Sequence, residues 1–342
     1  MSRPSTPTLI IRRIFAAIPS VIGVIIITFF LTRALPGDPA AYFAGPAATQ
    51  EAIDQLRETL GLNRSLPEQF FIYVGELLRG DLGKSLTTGQ TVLSDLLTRL
   101  PASLELTLAG LLFSLSLALP LGILAATRPG SWIDHSVRIL ATAGVSLPTF
   151  FTGLLLVYVF YFQLGIAPAP TGRLAILYSN PESVTGLFLV DSLLVGDLET
   201  FWAALSQLVL PAITLGLFAL APLARVTRAA MLGVLSSDFI RTARASGLSP
   251  STVLFGYAFR NALLPIVTTL GVVFSFLLGA NVLVEKVFAW PGVGSYAISA
   301  LVASDYAAVQ GFVLTMALLY VFLNLLIDFL YALIDPRAGV SS

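Results

Sequence analysis

The chain has 342 residues, of which 56% are hydrophobic and only 11% are charged, and its mean hydropathy is +0.88. Soluble domains average roughly 25% charged residues, so this composition indicates an integral membrane protein. The formal net charge is zero, which argues against nucleic-acid binding. There is no cysteine and only one histidine, His135, which excludes disulfides and thiolate chemistry and argues against histidine-based metal sites or triads. We therefore expect no catalytic residue and no metal site.

Six segments are long and apolar enough to cross a membrane, which takes about 20 residues per helix. They lie at approximately 10–34, 103–127, 137–164, 203–224, 263–284 and 309–333. The first is too long for a signal-peptide core, so we expect it to be retained. The stretch Val184–Val195 is apolar but short and contains Asp191, which favours an external amphipathic or re-entrant segment over a seventh span. The sequence thus predicts an all-α polytopic membrane protein with six transmembrane helices.

A polar insertion separates the first two spans. It opens with the turn signal Pro36–Pro39, and helical spacing follows over Thr49–Leu60 and Pro67–Leu78. We expect a small external subdomain with little core of its own. The predicted regions are the N-terminus with the first span (1–34), the external subdomain (35–102), a five-helix core (103–335) that contains the loop 225–262, and a C-terminal tail (336–342).

The arginines predict the orientation of the spans. If both termini are cytoplasmic, eleven of the 19 basic residues fall on the inner side. These eleven are Arg3, Arg12, Arg13, Arg128, Arg138, Arg225, Arg228, Arg241, Arg244, Arg260 and Arg337.

The run Gly80–Ser85 ends like a phosphate-binding loop but lacks its first glycine, because Leu78 occupies that position. It also falls on the outer side in the predicted orientation, away from cytoplasmic ATP. We interpret it as a turn, so the chain is expected to bind no nucleotide or other cofactor.

Several polar residues lie within or at the edges of the spans, where polar groups are costly and often face a cavity. The candidate translocation pathway comprises Thr268, Thr269, Ser275, Asn281 and Glu285. The alternative for each is a hydrogen bond between packed helices or a side chain reaching for water, and it stays open for these residues as for Glu105, Asn324 and Asp328.

The segment between the fourth and fifth spans carries the most specific signal. Asp238 can cap a helix that Gly247 ends in the left-handed conformation, and Ser249–Pro250 is typical of a second helix start. The result is a helix of about nine residues, roughly 13 Å long. A membrane anchor explains its arginines but neither these ends nor the small apolar face formed by Phe239, Ile240 and Ala243. We predict docking of a soluble partner on Asp238, Phe239, Ile240, Arg241, Thr242, Ala243, Arg244, Ala245, Gly247 and Leu248.

This loop resembles the motif of the inner-membrane permeases of ATP-binding-cassette (ABC) importers, which opens Glu-Ala-Ala, followed by three residues and glycine. Here Arg241, Thr242 and Ala243 hold the first three places and Gly247 the last. The missing glutamate and the late Pro265 are similar to the dipeptide/oligopeptide/nickel permease version of the loop. Further stretches resemble that family, over about residues 8–337: Leu35–Pro39, Gly80–Gly83, Ser146–Phe150, Trp290–Gly294 and Leu333–Arg337.

The resemblance implies a type I importer permease in a bacterial inner membrane. It further implies a second, homologous permease, two cytoplasmic ATPases that use ATP-Mg, and an extracytoplasmic substrate-binding protein, alongside membrane lipid. Phe239, Ile240, Arg241, Ala243 and Arg244 would then sit in a groove of the ATPase and move the spans 203–224 and 263–284 as a lever.

The cargo that the resemblance implies is a dipeptide or oligopeptide, with a nickel chelate, glutathione or an oligosaccharide as alternatives. Two other classes fit the sequence less well. A secondary transporter needs no ordered docking helix and more often shows internal repeats. An intramembrane hydrolase needs a nucleophile and base, or metal ligands, within its spans, and the sequence displays neither.

Overall fold

The computed structural model describes residues 6–34 and 37–334, without the side chains of residues 6–14, 16, 17, 140–145, 328 and 330–334. Several sequence predictions lie outside this range. They are the tail 336–342, the start of the Leu35–Pro39 motif, the end of the Leu333–Arg337 motif, the side chain of Asp328 and the arginines at 3, 12, 13 and 337.

The described residues form thirteen α-helices and two π-helices, which are joined by turns and loops. The α-helices are Thr6–Ala34 (α1), Pro39–Ala44 (α2), Gln50–Thr59 (α3), Leu66–Leu78 (α4), Val92–Thr127 (α5), Trp132–Ser146 (α6), Thr149–Leu156 (α7), Phe188–Val195 (α8), Leu198–Leu235 (α9), Asp238–Ala245 (α10), Arg260–Val287 (α11), Val293–Val302 (α12) and Tyr306–Ile334 (α13). Two segments are π-helical: Val157–Gln163 (π1) and Thr252–Phe259 (π2). Within the described residues, the β-structure is a single bridge between Lys84 and Thr91.

Four helices in the described residues are long and apolar enough to cross a membrane: Val92–Thr127, Leu198–Leu235, Thr252–Val287 and Tyr306–Ile327. They coincide with four of the six predicted spans. The other two correspond to shorter apolar helices, Ile18–Ala34 and Thr149–Gln163. The helix α8 has eight residues and buries Asp191 and Ser192, so it is too short to be a seventh span.

The third predicted span, 137–164, is not one continuous helix. The helix α6 ends at Ser146, and Leu147 adopts an extended backbone with φ −104° and ψ 137°. The cause is Pro148, because a proline ring clashes with a helical conformation of the residue before it. The chain resumes as α7 and π1 over Thr149–Gln163.

The chain divides into two compact units. The first comprises Met1–Pro101 and Pro291–Phe322, and its core consists of Val92, Leu96, Val293, Tyr296, Ala300 and Ala308. The helices α3 and α4 bury no residue completely, as expected for an insertion with little core of its own. Asp305 instead ties the segment after α4 to this unit, because its buried carboxylate accepts bonds from Ser85 Oγ (2.7 Å) and Thr87 N (3.0 Å). The helix α12 was not anticipated from the sequence.

The second unit comprises Ala102–Trp290 and Leu323–Ser342. Its central element is α9, which packs against α6, α7, α8 and α11. The part of α5 in this unit also approaches α9 closely. A Cβ added to Gly122 would lie 2.6 Å from Cβ of Thr227, so this approach requires glycine at position 122.

Candidate functional site

The predicted docking helix is present as α10, and its C-terminal end is well defined. Gly247 has φ +79°, the left-handed conformation that favours glycine. The N–H of Gly247 donates to the carbonyl of Arg244 (3.0 Å), and that of Leu248 donates to Ala243 (3.4 Å). This pair of bonds is the Schellman motif, which satisfies carbonyls that the helix end would leave unpaired. The prediction that Gly247 ends the helix in the left-handed conformation is therefore confirmed.

The beginning of α10 differs from the prediction. Ser237 is the capping residue, with an extended backbone of φ −74° and ψ 154°, and Asp238 is the first helical residue. The carboxylate of Asp238 still lies in the first turn, where a negative charge interacts favourably with the helix dipole. The second start is as predicted, because Ser249 Oγ accepts a bond from the N–H of Thr252 (3.3 Å) and the helix resumes at Pro250.

The predicted loop 225–262 is mostly continuous helix. The helix α9 extends to Leu235, and the chain is helical again from Pro250 through π2 and α11 to Val287. Only 236–249 therefore lie between the two long helical rods, and α10 occupies most of that connection. A short ordered helix between two long ones is well placed to move both of them.

The apolar side of α10 faces its own chain. Ile240 is completely buried and Ala243 is nearly so. They belong to a cluster contributed by α5, α9, π2 and α11: Ile123, Ala126, Met231, Val253, Ala258, Ala262 and Ile266. Ile240 and Ala243 are therefore not available to a partner, and the prediction that they form part of the docking surface is wrong. Helical spacing identified the face, but it could not say whether the chain or a partner covers it.

The outward side of α10 is polar with one aromatic ring. Phe239 is 45% exposed, and its exposed neighbours are Asp238, Arg241, Thr242, Arg244, Ala245, Gly247 and Leu248. Arg241 and Asp238 form an ion pair at 3.4 Å with 76% and 90% of their side chains exposed. Such a pair contributes little to stability, so these charges remain free to interact with other molecules. We call this set the α10 outer face.

An ion pair joins α6 to α9 about one turn before Met231, the α9 residue that belongs to the same cluster as Ile240 and Ala243. Both guanidinium nitrogens Nε and Nη2 of Arg228 bond the Asp134 carboxylate, the second at 2.6 Å, and the N–H of Gly130 donates to it at 3.0 Å. Asp134 precedes the apolar stretch that begins at Val137. The Arg228 guanidinium and the Gly130 amide lower the pKa of Asp134 to about 2. This carboxylate is therefore ionised at neutral pH and holds the bidentate pair.

Asn281 and Glu285 do not line a pathway. Both are buried: Asn281 Nδ2 donates to the carbonyl of Ser103 (3.1 Å) and to Thr107 Oγ1 (3.1 Å), and Ser103 Oγ donates to Glu285. These bonds join α11 to α5. The alternative that the sequence left open, hydrogen bonding between helices, is the correct one for both residues.

The hydroxyls of Thr268, Thr269 and Ser275 donate to the carbonyls four residues earlier in α11, those of Leu264, Pro265 and Gly271. Of the predicted pathway residues, Thr269 lines a large cavity. Its volume is about 730 Å³, and Phe218, Val272 and Phe276 form part of its apolar wall.

Three arginines line the same cavity: Arg138, Arg225 and Arg228. The sequence assigned them only to the membrane surface, and nothing in their spacing indicated that they share a cavity. Helix packing brings them together from α6 and α9.

A buried ion pair joins α5 to the loop between π1 and α8 in the second unit. Arg173 Nη2 lies 2.6 Å from Glu105 Oε2 and also donates to the carbonyl of Gly186 (2.8 Å), and the guanidinium stacks 3.4 Å from the centre of the Phe188 ring. Glu105 therefore holds the loop between π1 and α8 onto α5, which is again a structural role.

Two protein-family models match the chain. Residues 7–107 match the N-terminal model of binding-protein-dependent transport system membrane components, and residues 118–340 match the binding-protein-dependent transport system inner membrane component. The inward-facing MetNI methionine ABC transporter is a structural neighbour with TM-score 0.48 and 17% identity, covering 68% of this chain and 93% of that one.

The chain is also similar along its length to curated proteins. It is 45% identical to the probable D,D-dipeptide transport system permease protein DdpB of Escherichia coli K12, with 96% of each chain covered. It is 44% identical to the di/tripeptide transport system permease protein DppB of Pseudomonas aeruginosa UCBPP-PA14, covering 96% of this chain and 97% of the relative. The dipeptide permease DppB of E. coli K12 is 38% identical with the same coverage.

The family models and the curated relatives confirm the inner-membrane location and the role of a transport subunit rather than an enzyme. The apolar helices of the described residues agree with the predicted all-α, multi-pass permease fold. The resemblance seen in the loop at 238–265 extends over both family models. The chain belongs to the family of binding-protein-dependent transport system inner membrane components and is a permease subunit of an ABC importer.

Proposed function

We propose that this subunit moves dipeptides into the cell by alternating access, driven by ATP hydrolysis in separate subunits that dock on the α10 outer face. The single observation that carries the proposal is the difference between the two sides of α10. Its apolar side is anchored among four helical elements of its own chain, while its polar side is exposed.

The anchoring explains how a push on α10 would reach the membrane helices. Ile240 and Ala243 touch a cluster drawn from α5, α9, π2 and α11, so α10 cannot shift without displacing those elements. Packed cores resist continuous deformation, which favours movement as a body. The Schellman motif at Gly247 keeps the helix end ordered, so a displacement of the outer face is transmitted rather than absorbed by fraying.

The proposed partners follow the architecture of such importers. They are a second, homologous permease, two cytoplasmic ABC ATPases and an extracytoplasmic substrate-binding protein. ATP-Mg would be used by the ATPases, and this chain would bind no cofactor. The α10 end faces the cytoplasm in this arrangement, with both termini on the same side, which agrees with the concentration of arginines there.

The cavity lined by Thr269 is the proposed contribution of this subunit to the inner part of the pathway. Its volume of about 730 Å³ lies within the range of small-molecule sites, and its apolar wall would accept different peptide side chains without selecting one. Dipeptide cargo is supported by the names of the relatives, which specify D,D-dipeptides, di- and tripeptides or dipeptides. None of these three names specifies a nickel chelate, glutathione or an oligosaccharide.

The test is a matched pair of glycine substitutions in the complete complex. Gly247→Val places a β-branched residue at φ +79° and should abolish dipeptide transport and its coupling to ATP hydrolysis, while membrane insertion stays intact. Gly233→Val is the control, because Gly233 lies nearby in α9 without a positive φ and with no atom within 4 Å of an added Cβ. Wild-type dipeptide transport by the Gly247→Val complex would refute the docking model.

A further inference from the structure

A second cavity lies within the first compact unit. It has a volume of about 350 Å³ and is bordered by α1, α4 and the start of α13. Polar and charged side chains line it: Arg33, Gln69, Tyr73, Glu76, Tyr306 and Gln310. This size falls near the lower end of the range for small-molecule sites.

Arg33 is held in place without a carboxylate. Its Nε donates to Gln69 Oε1 (2.8 Å), and its guanidinium lies 3.6 Å from the centre of the Phe29 ring and 5.6 Å from that of Tyr306. Gln69 is itself fixed, because its Nε2 donates to the carbonyls of Leu62 (3.3 Å) and Arg64 (2.9 Å). Within the described residues, Arg33 forms no ion pair, although its side chain is half-buried.

The end of α1 explains part of this arrangement. Arg33 Nη1 is 3.4 Å from the carbonyl of Phe29, and a cation favours the C-terminal end of a helix dipole. That effect requires neither a fixed glutamine nor a cavity. A partly desolvated guanidinium that keeps an open side towards a cavity is instead a receptor for an anion, and a carboxylate matches its planar donors.

Two carboxylates line the same cavity. Asp305 is buried and accepts bonds from Ser85 Oγ and Thr87 N, whereas Glu76 lies on α4, is exposed and forms no ion pair with Arg33. Because an ion pair with an exposed carboxylate contributes little to stability, the separation of Arg33 and Glu76 costs little and leaves both charges available to a ligand. The same cavity is also lined by Gln310, whose Nε2 donates to Thr32 Oγ1 (3.0 Å), and by Tyr73. Burial raises the pKa of Tyr73 to about 12, and its hydroxyl, like that of any tyrosine at physiological pH, is protonated and can donate a hydrogen bond.

We propose that this cavity binds a small zwitterion with a free carboxylate and a free ammonium at its two ends, the chemistry of a dipeptide. Arg33 takes the carboxylate, Glu76 takes the ammonium, and Gln310 and Tyr73 bond the polar groups between them. Arg64 and Lys84 also line the cavity and add positive potential that attracts the carboxylate end. The choice of a dipeptide among zwitterions rests on the proposed function.

The test measures binding of L-alanyl-L-alanine to the complete complex in nanodiscs of neutral lipid, without its external binding protein. Arg33→Gln should weaken binding about tenfold or more, because one charge-assisted contact is lost. The same substitution should leave the residual binding of the C-terminal amide of this peptide unchanged. Glu76→Gln should likewise weaken binding of L-alanyl-L-alanine about tenfold or more. It should leave the residual binding of the N-acetyl derivative of this peptide unchanged. Arg79→Gln is the control, since Arg79 is exposed at the end of α4 and lies outside the cavity.

Two patterns of binding would overturn the proposal. One is equal loss of dipeptide and amide binding in Arg33→Gln, which would indicate a purely structural arginine. The other is binding of dipeptide that is insensitive to Arg33 and Glu76, with phosphatidylglycerol bound through Arg33 instead, which would make this a lipid site. Normal dipeptide transport with no binding here would refute this inference alone, whereas absence of dipeptide transport by the wild-type complex would refute the proposed function.

Discussion

The α10 helix and the Asn281–Glu285 turn of α11 are both polar interruptions in an apolar chain, but they are built in opposite ways. The α10 helix buries its apolar side, through Ile240 and Ala243, and exposes its charges. The α11 turn buries its polar groups, which are bonded to Ser103 and Thr107 of α5. The first arrangement leaves a surface for a partner, while the second uses its polar groups to fasten two helices. A polar residue in a membrane protein therefore indicates function only once it is known whether its side chain is exposed or buried within the chain.

The largest effect on stability is expected from the α10 anchor. Ile240→Ala should lower the free energy of unfolding by about 2–5 kcal/mol, because the residue is completely buried and its removal leaves a cavity. The measurement is the melting temperature of the purified complex in detergent. Ala245→Ser, at an exposed position of the same helix, is the control and should melt like the wild type. An unchanged melting temperature for Ile240→Ala would mean that α10 is not anchored as described.

The fastening role of Asn281 predicts a loss of stability without a loss of transport. Asn281→Ala removes two buried hydrogen bonds to α5 and should cost about 1–3 kcal/mol. Dipeptide transport per folded complex should stay near the wild-type level. Ser275→Ala should be nearly silent in both assays, because its hydroxyl bonds only its own helix. A strong transport defect in stable Asn281→Ala protein would restore the pathway role that the sequence suggested.

The Asp134–Arg228 pair predicts a pH dependence of definite sign. The folded-state pKa of Asp134 is lowered from 3.8 to about 2, so its contribution is fully present above about pH 4 and is lost as the pH falls towards 2. Asp134→Asn should destabilise the complex by about 1–3 kcal/mol at neutral pH. Thermal melting between pH 2 and pH 6 should show that the difference between wild type and variant shrinks at the acidic end. A constant difference would contradict the assignment.

The smallest effect on stability, and the most specific effect on function, is expected from the outer face. Arg241→Glu alters a side chain that is 76% exposed, so the melting temperature should change by the equivalent of about 0.5 kcal/mol or less. Coupling of transport to ATP hydrolysis should nevertheless be lost, because the docking charge is reversed. Arg260→Glu, an exposed reversal outside α10, is the matched control. Normal coupling in Arg241→Glu would show that the ATPase does not dock through the α10 outer face.

Local signals in the sequence predicted local structure well. Gly247 and Ser249–Pro250 mark helix ends because their effects operate within a few residues, and the four long spans follow from apolar length alone. Features that depend on packing were missed or misassigned. Spacing placed Ile240 on an apolar face without identifying what covers it, and it placed Asn281 in a span without identifying Ser103 as its neighbour.

The same limit applies to the cavities and to some helix boundaries. Arg138 and Arg225 are distant in sequence, so only the packing of α6 on α9 places them around one cavity. Pro148 in the sequence indicated an interruption of the third span. We predicted a continuous span because the residues on both sides of Pro148 are apolar. The helix α12 was missed because ten residues are too few to stand out as a span.

The central claim, that the outer side of α10 rather than its apolar side meets the ATPase, can be tested by single-cysteine labelling in a chain that contains no natural cysteine. The measurement compares Phe239→Cys with its neighbour Ile240→Cys, using a water-soluble maleimide on the permease with and without its ATPase. We predict that Phe239→Cys reacts in the permease alone and becomes protected when the ATPase is bound, whereas Ile240→Cys does not react in either state. Equal labelling of Phe239→Cys in both states, or labelling of Ile240→Cys that the ATPase blocks, would contradict the account.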